Sequence, residues 1–246
     1  MKKLIHSFLN KLGYQIRNME KEAEQLKIRK WDFLKTIAIN TIIDVGANEG
    51  QFADEILKIF PLAEIHSFEP LSDCFEKLTA NFAGNKKVHP YNFALGEQEG
   101  EISFSRSQAS PSSSILKMGS LHKKLYPHTA GLVEEKVKIR RLDDVLRDMD
   151  LKKEVLLKID VQGAEEKVIR GAIEVLKQTN VVITEVSYAT LYENQPLFSD
   201  IFVLLGKFDF IYAGNMEQFP SPLTGAPLFA DAIFVKKEVH DILYNA

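Results

Sequence analysis

From Thr41 onward short apolar runs alternate with amphipathic stretches, and the two periods separate strands from helices. Thr41–Val45 reads as a buried strand, and the next stretch carries Phe52, Ile56, Leu57 and Phe60 as a helix that Pro61 ends. A second strand is predicted at 63–68. Leu71, Phe75, Leu78 and Phe82 then recur on one face of a second helix. Strands are predicted at 87–94 and, shorter, at 101–105. After an irregular stretch the rhythm returns with a strand at 136–140, a short helix at 143–149 and a strongly apolar strand at 155–160. A single helix follows at 165–176, then a strand at 181–186, a helix around 201–205, and strands at 208–213 and 229–235. Strand–helix alternation of this kind predicts an α/β fold with a doubly wound, mostly parallel sheet.

Two segments break the pattern. Residues 105–132 hold seven serines between Ser105 and Ser120, two histidines, Pro111 and Pro127, with little periodicity. A loop of that length in a compact domain points to a lid or acceptor loop. Before Thr41, Leu4, Ile5, Phe8, Leu9, Leu12 and Ile16 form one apolar stripe at helical spacing. Residues 1–40 are therefore expected to be a helical arm, and 41–246 one domain.

Charge sharpens this division. The formal net charge of −3 conceals nine Lys/Arg against four Asp/Glu in residues 1–35, a +5 arm on a −8 body. A basic amphipathic helix can meet a membrane surface or a polyanion, or pack on its own domain or a second subunit. The body has no basic field that would make nucleic acid its main partner. One cysteine, Cys74, excludes an intrachain disulfide and a cysteine-built zinc site, and no apolar run is long enough to span a bilayer. Together with a start too short for a signal-peptide core, these features lead to the expectation of a cytoplasmic protein.

The sharpest chemical signal is Asp44-Val45-Gly46-Ala47-Asn48-Glu49-Gly50, where a buried strand runs into a glycine-bearing turn and then a helix. In open α/β sheets ligands bind at such carboxyl ends of strands. The Gly-x-x-x-Gly spacing differs from the Gly-x-Gly-x-x-Gly of a dinucleotide pyrophosphate site, so a ligand lacking pyrophosphate is expected. The second strand ends in Phe68-Glu69-Pro70, with Glu69 placed 19 residues after Gly50. An acid there can accept both hydroxyls of a ribose, and can equally favour the start of the next helix. Asn92, at the end of the third strand, is a candidate for an adenine edge or a turn, with Phe93 or Ala94 packing near the base.

These motifs, with Ser113-Ser114-Ile115-Leu116, Leu142-Asp143-Asp144 and Leu157-Lys158-Ile159-Asp160-Val161-Gln162-Gly163-Ala164-Glu165, resemble the FkbM family of S-adenosylmethionine-dependent methyltransferases over residues 42–236. The family often has Glu where this chain has Gln162. The resemblance implies a Rossmann-like sheet of seven strands with the last antiparallel, S-adenosyl-L-methionine as cofactor, and a hydroxyl of a sugar, glycan or secondary metabolite as acceptor. The implied cofactor contacts are Asp44, Gly46, Ala47, Asn48, Gly50, Phe68, Glu69, Pro70, Asn92, Ala94, Ser113 and Asp160. On the residues alone, a nicotinamide-dependent oxidoreductase and a catalytically silent cofactor-binding protein stay open.

Methyl transfer from a sulfonium needs positioning and a dry site, and an oxygen nucleophile favours a general base. Asp160 ends the central strand where cofactor and acceptor should meet, and Glu185 ends the next. His122 and His128 in the long loop are further candidate bases. The six histidines form no metal cluster by spacing, so no metal site is expected.

Overall fold

The computed structural model describes residues 13, 29–107, 116–126, 132–149 and 151–245. In chain order the elements are β1 (Thr41–Val45), α1 (Gln51–Leu57), β2 (Glu64–Phe68), α2 (Ser72–Asn81), β3 (Val88–Tyr91), β4 (Ala94–Leu95), β5 (Gly100–Ser107), α3 (Ser120–Leu125) and β6 (Leu132–Arg140). There follow α4 (Leu142–Leu146), β7 (Val155–Ile159), α5 (Glu165–Arg170), α6 (Ile173–Gln178), β8 (Thr179–Ser187), α7 (Phe198–Gly206), β9 (Phe210–Pro220), β10 (Pro227–Lys236) and α8 (Lys237–Tyr244). A 3-10 turn at Asp32–Thr36 precedes them.

Seven strands form one sheet in the order β3-β2-β1-β7-β8-β10-β9, parallel from β3 to β8, with β10 antiparallel to both its neighbours. This is the predicted doubly wound sheet with an antiparallel last strand. β1 is buried at all its positions, as an interior parallel strand must be when helices cover both faces. Ile42, Leu156, Val181 and Ile183 point to one face, where Trp31, Leu34, Ile56 and Val239 cover them. Ile43, Leu157, Val182 and Phe234 point to the other, against Leu146, Ile169, Leu176 and Leu205. The chain reverses direction of winding between β1 and β7, and the cleft-forming loops gather at that point.

The structure corrects four expectations. The predicted strand 87–94 is divided: Asn92 Nδ2 donates to the carbonyls of Glu69 (3.0 Å) and Pro70 (3.1 Å), and the chain then leaves the main sheet. Ala94 and Leu95 pair instead with Ile139 and Arg140, so β4, β6 and β5 make a separate three-stranded sheet. The predicted helix 165–176 breaks at Gly171, where an added Cβ would lie 1.9 Å from the Gly96 carbonyl oxygen. Asp143 Oδ1 then caps the second piece, accepting from the N–H groups of Glu174 (2.9 Å) and Val175 (3.0 Å). The irregular stretch 105–132 contains α3 and is trimmed at both ends, because β5 reaches Ser107 and β6 begins at Leu132. Finally, α8 closes the chain beyond the last predicted strand.

The predicted arm does not end where the packing does. Trp31, Leu34, Ile37 and Ile39 are all buried in the core that holds Ile42. The apolar stripe from Leu4 to Ile16, with Ser113 and His128, lies outside the described residues. Among the described residues no helix is long and apolar enough to cross a membrane.

Candidate active site

The turn after β1 is built around two glycines. Gly46 has φ +81°, and a Cβ there would meet the Asp160 carbonyl oxygen at 1.9 Å, so the loops after β1 and β7 are in backbone contact. Gly50 has φ +93°, and a Cβ would meet the side chains of Phe82 (2.5 Å) and Leu78 (2.8 Å). Asn48 adopts a left-handed φ of 49°, which Asn tolerates better than most residues. The N–H groups of Gly46 and Ala47 both donate to the Phe68 carbonyl at 3.0 Å, tying this turn to the end of β2.

Glu69 lies at that junction. Its Oε2 accepts the Asn48 N–H at 2.9 Å, and its Oε1 accepts the Leu71 N–H at 2.9 Å. Burial pushes the carboxyl up to about 7, more than the two backbone donors pull it down. A carboxylate oxygen can accept more than one hydrogen bond, so each oxygen retains capacity toward a ligand.

A cleft of about 820 Å³ opens beside these residues, lined by Gly46, Asn48, Phe68, Glu69, Pro70, Ala94 and Asp160 from the predicted set. Leu71, Cys74, Phe93, Leu95 and Phe104 supply an apolar wall. Of these, Phe104 comes from the small sheet and Cys74 from the buried face of α2, and sequence spacing gave neither a role here. Asn48 Oδ1 is buried and has no hydrogen-bond donor among the described residues.

A second cleft, of about 870 Å³, shares Gly46, Asn48 and Asp160 with the first. Its walls include Lys30, Trp31, Phe52, Lys158, Glu185 and Asp231. Trp31 Nε1 donates to Glu55 Oε2 at 3.3 Å, and its ring meets Phe52 edge-on at 5.4 Å. The basic segment thus contributes a wall of this cleft through its last residues, a role its charge and stripe did not reveal.

The floor between the clefts is charged. Lys158 Nζ lies 3.2 Å from Asp44 Oδ1 and 3.6 Å from Asp160 Oδ2, and donates to the Gly46 carbonyl at 3.3 Å. Burial works against the ammonium, but Asp44 and Asp160 outweigh it and hold Lys158 charged. Glu185 is buried, and its carboxyl is raised well above the ordinary range by burial and by Glu165, Asp160 and Asp231. Burial likewise raises Asp231 to about 6. Glu165 is accounted for by the backbone, its Oε1 accepting from Val161 (3.2 Å) and Gly163 (3.0 Å).

Other predicted residues are placed differently. Asp44 is fully buried beneath the turn, and Gly50 shapes the start of α1. Ala47 lines the second cleft instead of the first. Asn92 locks the turn after Glu69, the second of the two roles expected for it, and is not among the residues lining the first cleft. His122 is buried, its ring 5.1 Å from Tyr192 and 5.3 Å from Tyr126, and lines neither cleft. Its ring contacts in the structure are aromatic. Among the described residues no group of three or more His, Cys, Asp or Glu side chains could hold a metal ion.

The fold and the paired clefts define a doubly wound α/β ligand-binding domain with its site at the switch point of the sheet. Residues 44–212 match the methyltransferase FkbM domain, and the chain belongs to that family of methyltransferases. The 2-O-methyltransferase NoeI of Sinorhizobium fredii is 30% identical over 190 residues, covering 75% of this chain and 76% of NoeI. The hexuronic acid methyltransferase AglP of Haloferax volcanii is 30% identical over 144 residues, covering 58% of this chain and 54% of AglP. Among solved structures, methyltransferase FkbM from Methylobacillus flagellatus KT aligns at a TM-score of 0.48 and 11% identity, over 80% of this chain and 44% of that one. Family membership sets aside the nicotinamide oxidoreductase alternative.

Proposed function

We propose that this protein transfers a methyl group from S-adenosylmethionine to a hydroxyl of a sugar, glycan or secondary metabolite. The observation that carries the reading is that Asp160 lines both clefts. The first cleft suits the cofactor: Glu69 retains acceptor capacity for a ribose diol, the apolar wall suits a base, and Asn48 Oδ1 is an acceptor for the methionine ammonium. The second cleft is assigned to the acceptor. Two relatives support the acceptor class by name, NoeI as a 2-O-methyltransferase and AglP as a hexuronic acid methyltransferase.

When bound, the cofactor supplies an electrophilic methyl group on a positively charged sulfur. Asp160, steadied by Lys158, would take the proton of the acceptor hydroxyl, readying its oxygen for that methyl group. Glu185, protonated by its burial, hydrogen-bonds the acceptor in the second cleft.

Calorimetry and a methyl-transfer screen against hydroxylated sugars and polyketide-like alcohols, read by product mass, test the proposal. S-adenosylmethionine should bind and NAD should not. Asp160→Asn should change cofactor affinity by less than about threefold while lowering turnover by about 10²-fold or more. Undiminished turnover removes Asp160 from the chemistry, and failure to bind S-adenosylmethionine overturns the reading as a whole.

A further inference from the structure

Gln162 follows the central strand in a left-handed conformation, with φ +56°, and Gly163 beside it has φ +100°. A non-glycine residue holds that conformation only where its surroundings fix it. Here the fixing contacts are polar. The Gln162 Nε2 group donates to Asp160 Oδ1 at 2.9 Å and to Glu185 Oε2 at 3.3 Å. Its Oε1 accepts from the Tyr192 hydroxyl at 3.2 Å.

The amide orientation follows from chemistry. Tyr192 is almost wholly buried, and burial and the nearby carboxylates raise its hydroxyl above the ordinary range, so it keeps its proton and donates. The amide oxygen must therefore face Tyr192 and the amide NH2 must face the acids. Tyr192 is itself fixed: a Cβ on Gly163 would meet its ring at 3.0 Å, and Met118 pairs with it across an antiparallel bridge.

Gln162 lines the first cleft, Glu185 lines the second, and Asp160 lines both. We propose that Gln162 is a positioning residue: its neutral amide holds Asp160 and Glu185 together where the two clefts join, giving each a hydrogen bond without adding charge. The groups facing this point are Lys158 from β7, Asp160 directly after it, Glu165 from α5, Glu185 from β8, Asp231 from β10, Asp44 from β1, and Tyr192 with His122 behind it. Among the described residues Lys158 is already engaged by Asp44 and Asp160, and Lys30, across the second cleft, acts on Asp231. An additional carboxylate in place of the amide would repel both acids. The catalytic meaning of the pairing rests on the methyltransferase reading above; the pairing itself does not.

The test compares wild type, Gln162→Glu and Gln162→Met by thermal melts across pH, by carboxyl carbon-13 NMR titration, and by calorimetry with S-adenosylmethionine. Gln162→Met should melt below wild type at every pH, by a margin that widens as pH rises, because the donors it lacks matter most to ionised acids. Gln162→Glu keeps a donor while protonated, so it should match wild type near about pH 5.5 and fall about 5–10 °C below it near about pH 8.5. In both variants Glu185 should titrate at higher pH than in wild type, with the larger displacement in Gln162→Glu. Deficits that stay constant with pH, with an unmoved titration, would mean packing alone and overturn the proposal. A loss of cofactor affinity above about tenfold in Gln162→Met would make Gln162 a cofactor contact and also overturn it. If wild type binds no S-adenosylmethionine, the functional reading falls while the melts and titration still decide the role of Gln162.

Discussion

Glu69 engages two backbone N–H groups before any ligand is considered, so the choice of substitution decides what an experiment on it can report. Glu69→Ala leaves both donors buried, a penalty of about 1–3 kcal/mol for each. Its effect on cofactor binding is then mixed with damage to the turn between β1 and α1. Glu69→Gln keeps one acceptor oxygen and removes the charge. We expect Glu69→Gln to melt within a few degrees of wild type and to bind S-adenosylmethionine about tenfold more weakly. Glu69→Ala should melt clearly lower and bind about 10²-fold more weakly. Thermal melts with calorimetry on both variants check this; unchanged affinity in Glu69→Gln removes the ribose assignment. The position of Glu69 was legible because it ends a strand 19 residues after Gly50, at the carboxyl edge where open α/β sheets gather their ligands. Its bond to Asn48 was not, since that depends on how two parallel strands align at their ends.

At the scale of elements, the sequence was most informative where one element meets the core by itself. β1, β7 and β8 declare themselves because burial on both faces demands adjacent apolar residues, as in Ile42-Ile43, Val155-Leu156-Leu157 and Val181-Val182-Ile183. What stayed hidden was decided by partners distant in sequence. Ala94 pairs with Ile139, and Gly171 is broken open by the carbonyl of Gly96. Trp31 is the clearest case: it stands in a basic stretch, yet it is 3% exposed and walls the second cleft. Its only local cue was an indole close to Leu34 and Ile37, which an arm and a core would share. Trp31→Ala should destabilise the fold by about 3–5 kcal/mol, as expected for a large aromatic removed from a core. Urea denaturation reads this directly. A loss under about 1 kcal/mol would return residues 29–40 to the status of an appended arm.

For the whole molecule, the sign of the net charge matters less than where the acids sit. Glu69 and Glu165 are each raised from 4.5 to about 7, Asp231 is raised from 3.8 to about 6, and Glu185 stands well above 4.5, in every case with burial as the leading cause. Over the interval between unfolded and folded values the folded chain holds protons that the unfolded chain has released, so stability falls as pH rises. His66 opposes this. Burial, assisted by His89, lowers it from 6.5 to about 4, which makes stability rise with pH across that interval. Above the unfolded histidine value of 6.5 that opposition is complete, whereas Glu69, Glu165 and Glu185 are still losing protons. The melting temperature should therefore decline by several degrees between about pH 6.5 and about pH 8, and Glu185→Gln should flatten the decline. On the proposed reading S-adenosylmethionine would bring positive charge toward these carboxyls and favour their ionised forms. Its stabilisation of the protein should accordingly be larger at about pH 8 than at about pH 6 at equal free cofactor concentration. Melts over pH with and without cofactor measure both slopes, and a cofactor gain that shrinks as pH rises would show that the bound molecule does not approach the acids at the join of the two clefts.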